Sequence, residues 1–236
     1  MKIALNLITP PDQCPYLPEM KSMTECDIVS KMTIKEYEKR LLKGWRHFGR
    51  QVFRPVCENC EECKSLRIPI ETFKPNRSQA RNIKANTGRI TLEIEEPNLT
   101  SEIMNLYDRF HEERSSKRDW PEKNWEDSDS FENSFLDNPF QVEQWVYREQ
   151  GRLCGVGYVD RLVSGLSAIY FFHEPELSSY GLGIYNVLAM LNQARQNNLP
   201  YLYLGYYVKG CQSLEYKAGF KPNEILTPQG IWVSKT

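Results

Sequence analysis

The sequence lacks any apolar run that approaches the roughly 20 residues of a membrane-spanning helix. Its first residues also lack the apolar region of about 7–15 residues and the small-residue cleavage site of a secretion signal. We therefore expect a cytoplasmic protein with no membrane partner. No P-loop, GxGxxG or GxSxG motif occurs, so nothing supports ATP use, nicotinamide binding or a serine nucleophile. The three histidines are too scattered for a catalytic pair and are expected to be structural.

The 236 residues suffice for one large domain or two small ones with a buried core. With 13 Tyr, 10 Phe and 5 Trp, the chain carries too much bulky apolar surface to stay disordered. Charge is distributed unevenly: residues 35–89 contain 14 Lys and Arg against 6 Asp and Glu, and residues 101–150 contain 6 against 13. Such a basic block is typical of a segment that meets a polyanion, but two solvated faces that neutralise each other across a domain contact give the same pattern.

The seven cysteines argue against a disulfide framework, since the number is odd and no secretion signal is present. Cys57, Cys60 and Cys63 form a C-x-x-C-x-x-C run, whose spacing lets neighbouring thiolates converge on one ion from a turn. Zinc and iron–sulfur clusters take about four ligands, so a fourth must come from elsewhere, and Cys14 is the best candidate. The sequence thus predicts zinc or an iron–sulfur cluster at these four cysteines, with a reduced, metal-free thiol cluster as the alternative.

Hydrophobic periodicity and turn residues predict the elements of the N-terminal half. Four prolines indicate that residues 1–30 are irregular. A helix is expected at 33–44, with Thr33 and Glu36 as a capping box. The further expected elements are a strand pair at 45–54, a strand at 65–70, a basic helix at 78–85 and a strand at 89–95.

A break at Pro97 divides the chain into a cysteine-rich, basic N-terminal region, 1–96, and a C-terminal domain, 97–236. The expected elements of the second part are a helix at 100–114, an acidic helix–loop segment at 119–138, three strands at 144–148, 152–161 and 166–173, a helix at 184–197, a strand at 201–207, a short helix at 213–218 and a hairpin at 225–233. This order predicts an α+β, acyltransferase-like fold, in which one strand splays from its neighbour and leaves a cleft where an acyl donor meets an amine.

A series of short motifs extends over nearly the whole chain. The N-terminal motifs are Cys14-Pro-Tyr-Leu-Pro18, Gly44-Trp-Arg-His-Phe-Gly49, Phe53-Arg-Pro-Val-Cys57, Leu66-Arg-Ile68 and Arg77-Ser-Gln79. The C-terminal motifs are Tyr170-Phe-Phe-His-Glu-Pro175, Gly181-Leu-Gly183, Tyr201-Leu-Tyr-Leu-Gly-Tyr-Tyr-Val208, Glu215-Tyr-Lys217 and Phe220-Lys-Pro222. Taken in this order, they resemble the motifs of the arginyl-tRNA–protein transferases, in the bacterial form on the N-terminal side.

The resemblance implies an aminoacyl-tRNA–protein transferase with an acetyltransferase-like (GNAT) fold. Members of the family move an amino acid from charged tRNA to the α-amine of proteins that begin with Asp or Glu, and so create an N-degron. The implied partners are charged tRNA and acidic protein N-termini, and no cofactor is required for the transfer. The C-terminal motifs favour arginine over leucine as the transferred amino acid.

The implied chemistry gives a role to the basic segment before residue 85. Because an aminoacyl ester is already activated, the enzyme has to position the amine, stabilise the oxyanion and recognise the acidic first side chain. Arg77, Ser78 and Arg81 are the candidates for that acidic side chain, since a guanidinium group binds a carboxylate bidentately. Part of the same segment would also contact phosphate, and a solvated basic helix face is the alternative.

The candidates near the reaction centre lie in the C-terminal motifs: Tyr207, Glu174 and Lys217 as catalytic residues, and Tyr206 as a substrate-binding residue. One tyrosine would stack on the terminal adenine of the tRNA or donate to the oxyanion, with core packing as the alternative. Glu174 would pair with a donor arginine or accept a proton from the amine, unless it is only a surface turn carboxylate. Lys217 would contact the tRNA end or the acceptor carboxylate, unless it is an exposed helix lysine.

Two departures from the family pattern keep other functions open. Leu17 stands where eukaryotic members have a second cysteine, which leaves the type of metal undetermined. Tyr180 interrupts the Ser-Leu-Gly turn that members usually carry, which motivates a non-catalytic module of the same fold that binds tRNA or peptide. The fold expectation alone also fits a coenzyme A-dependent N-acyltransferase, although residues 178–183 match the phosphate-binding loop of those enzymes poorly.

Overall fold

A computed structural model describes residues 1–118 and 128–235 of the chain. The predicted acidic helix–loop segment, 119–138, therefore lies partly outside the described residues. Within the described part, no helix is both long enough and apolar enough to cross a membrane.

Most elements in the first 95 residues match the sequence-based expectations. The strands are β1 (Lys2–Ile8), β2 (Asp12–Gln13), β3 (Lys21–Ser22), β4 (Thr24–Lys31), β5 (Arg46–Phe48), β6 (Gln51–Pro55), β7 (Lys64–Pro69) and β8 (Ile90–Glu95). The helices are α1 (Ile34–Leu41) and α2 (Arg77–Asn86). Helix α1 begins at the predicted capping box: Thr33 Oγ1 accepts from the N–H of Glu36, whose carboxylate accepts from the N–H of Thr33.

The expectation that residues 1–30 are irregular is wrong. Strand β1 pairs antiparallel with β4, and β4 pairs in turn with β6. The four prolines all lie between β1 and β4, where the chain turns and forms only the short β2–β3 ladder. Proline content therefore marks the connection correctly, whereas the flanking strands depend on pairing with residues elsewhere in the chain.

The later elements also follow the predicted order. They are α3 (Ser101–Arg118), α4 (Ser128–Phe131) with a π-helical turn (Glu132–Leu136), β9 (Glu143–Glu149), β10 (Arg152–Arg161), β11 (Gly165–His173), a 3₁₀ helix (Pro175–Tyr180), α5 (Leu182–Gln196), β12 (Tyr201–Tyr207), α6 (Gln212–Glu215) with a 3₁₀ turn (Tyr216–Gly219), β13 (Glu224–Leu226) and β14 (Trp232–Ser234). Thr100 caps α3, since its hydroxyl accepts from the N–H of Ile103 at 3.2 Å.

Two sheets organise the described residues. The larger has eight strands in the order β14-β13-β7-β12-β11-β10-β9-β8, and the smaller has the order β1-β4-β6-β5. Within the larger sheet, β11 and β12 run parallel, whereas the other neighbouring strands are antiparallel. The predicted α+β class is confirmed. Because β7 and β8 belong to the larger sheet, that sheet continues across the predicted division at residue 97.

Both faces of the larger sheet are covered. On one face, α2 and α5 pack over a cluster that includes Trp145 and Leu202. On the other face, α3 and the π-helical turn pack around Phe172, and α1 with the smaller sheet packs around Tyr37 and Tyr203. The larger sheet is thus the middle of three layers, and the smaller sheet brings β5 close to the junction of β11 and β12.

Candidate active site

Strands β11 and β12 pair over only part of their length. Residues 165–167 pair with residues 201–203, but residues 168–173 and 204–207 of the two strands do not pair with each other. Strand β12 continues along β7 instead, with a bulge between Tyr203 and Gly205. We call the gap between the two unpaired segments the crevice. It is the splayed arrangement that the sequence predicted.

Gly205 lies at the bulge, in the unpaired segment of β12. Its φ of +79° is in the left-handed region, which glycine adopts without the steric cost that other residues meet. A Cβ built on Gly205 would lie 3.7 Å from Lys217 Nζ and 3.8 Å from Arg46 Nε. The missing side chain therefore lets two cationic groups face the backbone of β12 at the crevice.

Arg46 reaches this point from β5 of the smaller sheet and is 7% exposed. Its Nη1 lies 3.5 Å from the hydroxyl of Ser167 on β11, and its Cζ lies 5.8 Å from the ring centre of Tyr206. Nε and Nη2 are buried and have no hydrogen-bond partner among the residues that the structure describes. Because a guanidinium group stays protonated, these are unpaired donors on a buried positive charge.

Lys217 lies in the 3₁₀ turn after α6 and donates from Nζ to the carbonyl oxygen of Tyr206, at 2.9 Å. Burial, followed by the charge of Arg46, lowers the pKa of Lys217 to about 7, and Cys211 acts in the opposite direction. The side chain is half-buried. Lys217 is therefore not the exposed helix lysine that the sequence left open as an alternative.

The two adjacent tyrosines of β12 occupy different environments, as expected for successive residues of a strand. Tyr206 donates from its hydroxyl to the carbonyl oxygen of Gly44 at 2.8 Å, and burial raises the pKa of this hydroxyl. Tyr207 packs in the cluster with α5, and Lys235 Nζ lies 4.6 Å from its ring centre. Tyr206 is therefore beside the two cations and Tyr207 is in the core, and the roles predicted for both stay predictions.

Glu174 directly follows β11 and is 1% exposed. Arg109 donates to its carboxylate from Nη2 at 2.8 Å, and Arg152 donates from Nη2 at 3.3 Å. The N–H of Glu174 donates to the carbonyl oxygen of Cys154 at 2.9 Å. The carboxylate thus joins α3, β10 and the end of β11. A role as a base would require it to give up these contacts, so they favour a structural role.

The residues predicted to bind the acidic side chain are exposed on α2: Arg77, Ser78 and Arg81. Helix α2 begins at a capping box formed by Asn76 and Gln79. Gln79 also donates from Nε2 to the carbonyl oxygen of Gly219 at 3.2 Å, which attaches α2 to the turn that holds Lys217. The structure therefore places this basic face beside that turn, on the outside of the molecule.

The four predicted metal ligands line one cavity of about 720 Å³: Cys14, Cys57, Cys60 and Cys63. Tyr206 lines the same cavity, which therefore adjoins the site of the two cations. Within residues 1–118 and 128–235, no three His, Cys, Asp or Glu side chains are placed to hold a metal ion. Burial, followed by the neighbouring thiols, raises the pKa of Cys63 to about 12, so the metal-free group stays a neutral thiol. The zinc or iron–sulfur cluster predicted at these cysteines stays a prediction.

Sequence reasoning missed a buried pair next to Arg46. His47 Nε2 lies 2.9 Å from Asp160 Oδ1, and His47 Nδ1 lies 3.0 Å from the carbonyl oxygen of Gly49. Both ring nitrogens face oxygen atoms, so the buried imidazole is held from both sides. The available signal was the motif at 44–49, which contains Arg46 and His47 but received no role of its own.

Comparisons of the sequence with known proteins identify its relatives. A profile described as the N terminus of arginine-tRNA-protein transferase matches residues 12–81, and one described as the C terminus matches residues 102–227. An aspartate/glutamate leucyltransferase of Campylobacter jejuni is 39% identical over 228 residues, 95% of this chain and 93% of the relative. A second, from Pseudomonas syringae, is 35% identical over 227 residues, 96% of this chain and 94% of the relative.

A solved structure shares the fold. It is the C-terminal domain of a protein described as a lysylphosphatidylglycerol synthetase from Agrobacterium fabrum, with a TM-score of 0.51 and 12% sequence identity. The match covers 81% of this chain and 60% of that chain. At this level of identity the similarity concerns the fold alone.

Proposed function

The chain belongs to the arginine-tRNA-protein transferase family, and we propose that it transfers leucine from leucyl-tRNA to the α-amine of proteins that begin with aspartate or glutamate. Two relatives that are matched over 93% and 94% of their length are named aspartate/glutamate leucyltransferase. Their names favour leucine as the donor amino acid, whereas the C-terminal motifs considered alone favour arginine. The product gains a new N-terminal residue, which in this family marks a protein for degradation.

The proposed reaction forms an amide bond and breaks an ester bond. The amine nitrogen attacks the carbonyl carbon of the leucyl ester, a tetrahedral oxyanion forms, and the bond to the ribose oxygen of the tRNA breaks. The amine loses a proton, and the ribose oxygen gains one. Because the ester is activated and the free α-amine has a pKa of about 7.7–8.0, positioning accounts for most of the required catalysis. Near-attack placement alone is worth about 7–11 kcal/mol.

The crevice is the observation that carries this proposal. Strands β11 and β12 do not pair with each other along these segments, and we place the aminoacyl ester and the incoming chain terminus there. Arg46 and Lys217 supply positive charge at its Gly205 side, where either an acidic acceptor or a developing oxyanion would gain from it. The parallel strands β11 and β12 separate within the larger sheet. Because of this separation, we also propose that the fold is a GNAT-like variant.

The remaining predicted residues divide by their position. We propose that the exposed face of α2, with Arg77, Ser78 and Arg81, contacts tRNA phosphates, because it extends the basic excess of residues 35–89 beside the crevice. Tyr206 is proposed to border the bound tRNA end. The catalytic roles of Glu174 and Tyr207 stay predictions, since their contacts are those of ion pairing and core packing.

A transfer assay tests the proposed function. The full chain is incubated with labelled Leu-tRNA or Arg-tRNA and with peptides that begin with Asp, Glu or Ala. We expect label from Leu-tRNA on the Asp and Glu peptides and little on the Ala peptide, whereas label from Arg-tRNA alone would correct the donor. No label on the acidic peptides from either donor would reject the proposal. In that case, salt-dependent tRNA binding would indicate a non-catalytic module, and tight coenzyme A binding a different acyltransferase.

A further inference from the structure

We propose that Arg46 and Lys217 form the subsite that binds the side-chain carboxylate of the acceptor's first residue. This inference rests on the proposed function, because it takes the acceptor to begin with aspartate or glutamate. It places recognition of the acidic residue at the crevice, rather than on the exposed face of α2.

The Arg46 guanidinium group is buried and incompletely paired. The residue is 7% exposed, its hydrogen bond to Ser167 is long at 3.5 Å, and its other side-chain neighbours include the neutral groups of Tyr37 and Tyr206. Two of its nitrogen atoms, Nε and Nη2, donate to nothing in the described structure. A buried charge with unpaired donors is unfavourable unless an anion completes it. The site is therefore prepared for a carboxylate that the protein itself does not supply.

Lys217 places a second cation beside Arg46. Lys217 has three donors, of which one is bound to the carbonyl oxygen of Tyr206. Neither Arg46 nor Lys217 forms an ion pair within 4.0 Å of a carboxylate in the part of the chain that the structure describes. The acidic group of this cluster, Asp160, contacts His47 through Oδ1 at 2.9 Å, and its Oδ2 has no hydrogen-bond partner among the described residues. Two neighbouring cations without a counter-ion favour binding of an anion.

The position of the two cations also fits an acceptor subsite. Both cations approach Gly205, in the unpaired segment of β12, where the proposed reaction brings the acceptor terminus. Gly205 has no side chain, so the two cations border the position that its Cβ would occupy, and we place the carboxylate there. Arg46 offers a planar fork and Lys217 a flexible ammonium group, so the pair can bind carboxylates that differ by one methylene. This accounts for one subsite that accepts both aspartate and glutamate.

A tRNA phosphate is the competing anion, and the structure makes it the weaker candidate. Phosphates belong to a bulky, hydrated backbone, which fits the exposed basic residues of α2 better than a guanidinium that is 7% exposed. A single carboxylate on a peptide terminus can enter a narrow gap between two strands. The experiment therefore measures acceptor and tRNA separately.

The test compares acceptors in the full chain and its variants. Arg46→Gln and Lys217→Gln remove one cation each, Arg46→Lys and Lys217→Arg keep the charge, and Lys35→Gln removes an exposed charge from α1 as the matched control. Transfer from Leu-tRNA is measured with peptides that begin with Asp, Glu, Asn and Gln. We expect each Gln variant to lower kcat/KM for the acidic peptides by about 10- to 100-fold and to reduce the preference for Asp over Asn. The charge-keeping variants and Lys35→Gln should retain most of that preference.

Affinity for Leu-tRNA and thermal unfolding are measured on the same proteins. Unchanged tRNA affinity with a reduced Asp-over-Asn preference supports the subsite. A variant that loses tRNA affinity, or that loses activity equally with all peptides while still folded, would overturn it. Wild-type protein that transfers nothing would instead reject the proposed function, so the two failures are distinguishable. If a Gln variant does not fold, Arg46→Lys and Lys217→Arg provide the test. The proposal then requires that these variants change the ratio of kcat/KM between the Asp and Glu peptides.

Discussion

The ammonium group of Lys217 and the guanidinium group of Arg46 meet at one backbone position, Gly205, although the two residues come from the 3₁₀ turn after α6 and from β5. Like charges repel, and burial makes this repulsion stronger than it would be in water. Lys217 is held at this point by its hydrogen bond to the carbonyl oxygen of Tyr206, and Arg46 by its longer contact with Ser167. An anion bound between them would remove the repulsion, which connects this contact with the acceptor specificity that we propose.

We predict that Gly205→Ala impairs both stability and transfer. The φ of +79° at this position is strained for alanine, so the free energy of unfolding should fall by about 1 kcal/mol. The new methyl group would also occupy the space between the two cations and lower kcat/KM for an Asp peptide. Urea unfolding and the transfer assay measure the two effects.

Gly88→Ala provides the control for that substitution. Gly88 has a φ of +80° and open space where its Cβ would lie. It should therefore cost similar stability but leave kcat/KM unchanged. Equal losses of kcat/KM in the two variants would show that backbone strain, and not the occupied crevice, causes the effect.

We predict a pH-dependent KM for acidic peptides. Lys217, with a pKa of about 7, is charged below pH 7 and neutral above it. Its charge is influenced by Arg46 on β5 and by Cys211 before α6, while the Tyr206 carbonyl on β12 accepts its hydrogen bond. KM for an Asp peptide should therefore rise between about pH 6 and 8, while kcat rises as the acceptor amine loses its proton. In Lys217→Arg the charge persists, so KM should stay flat; the same KM profile in both proteins would contradict the assignment.

Lys217 should also make the free energy of unfolding depend on pH. In the unfolded chain a lysine keeps its proton to about pH 10.4. Between about pH 7 and 10 the folded chain therefore binds fewer protons than the unfolded chain, and the contribution of Lys217 to the free energy of unfolding rises with pH. Lys217→Met should remove this rise, as urea unfolding at pH 7 and pH 9 can measure. An unchanged difference between the two pH values would show that Lys217 does not titrate in this range.

We predict that the buried pair of His47 and Asp160 is needed for folding. Asp160→Ala leaves the imidazole without its partner and should lower the free energy of unfolding by about 3 kcal/mol. Asp160→Asn should cost less, because the amide can donate to a neutral His47. Denaturant unfolding monitored by tryptophan fluorescence compares the two. Equal destabilisation by both substitutions would argue against a hydrogen-bonded pair.

We predict that Glu174→Gln retains transfer activity. The side chains of Arg109 and Arg152 are 46% and 64% exposed, so each ion pair contributes little, and the loss of stability should be about 1 kcal/mol. Activity should stay within about threefold of wild type, because an amide can still accept from both arginines. A folded variant whose kcat falls by more than about 100-fold would restore the catalytic role predicted from the sequence.

The sequence by itself determined the structural features that depend on residues close to one another along the chain. The capping box of Thr33 and Glu36, the alternating strands β7 and β8 and the order of the later elements were all predictable, because each rests on contacts or periodicity within a few residues. The ordered motifs likewise indicated the family. In contrast, β1 and β4 were missed, since these strands exist through their pairing with each other and with β6.

Tertiary structure alone decided which charges are used inside the protein and which are left for a substrate. Glu174 was a candidate base in the sequence, but Arg109 from α3 and Arg152 from β10 occupy its carboxylate. Arg46 had no role in the sequence, yet folding buries it beside Lys217, with no ion-pair partner among residues 1–118 and 128–235. Whether a charge is paired depends on residues that are distant along the chain, and no local pattern records those distances.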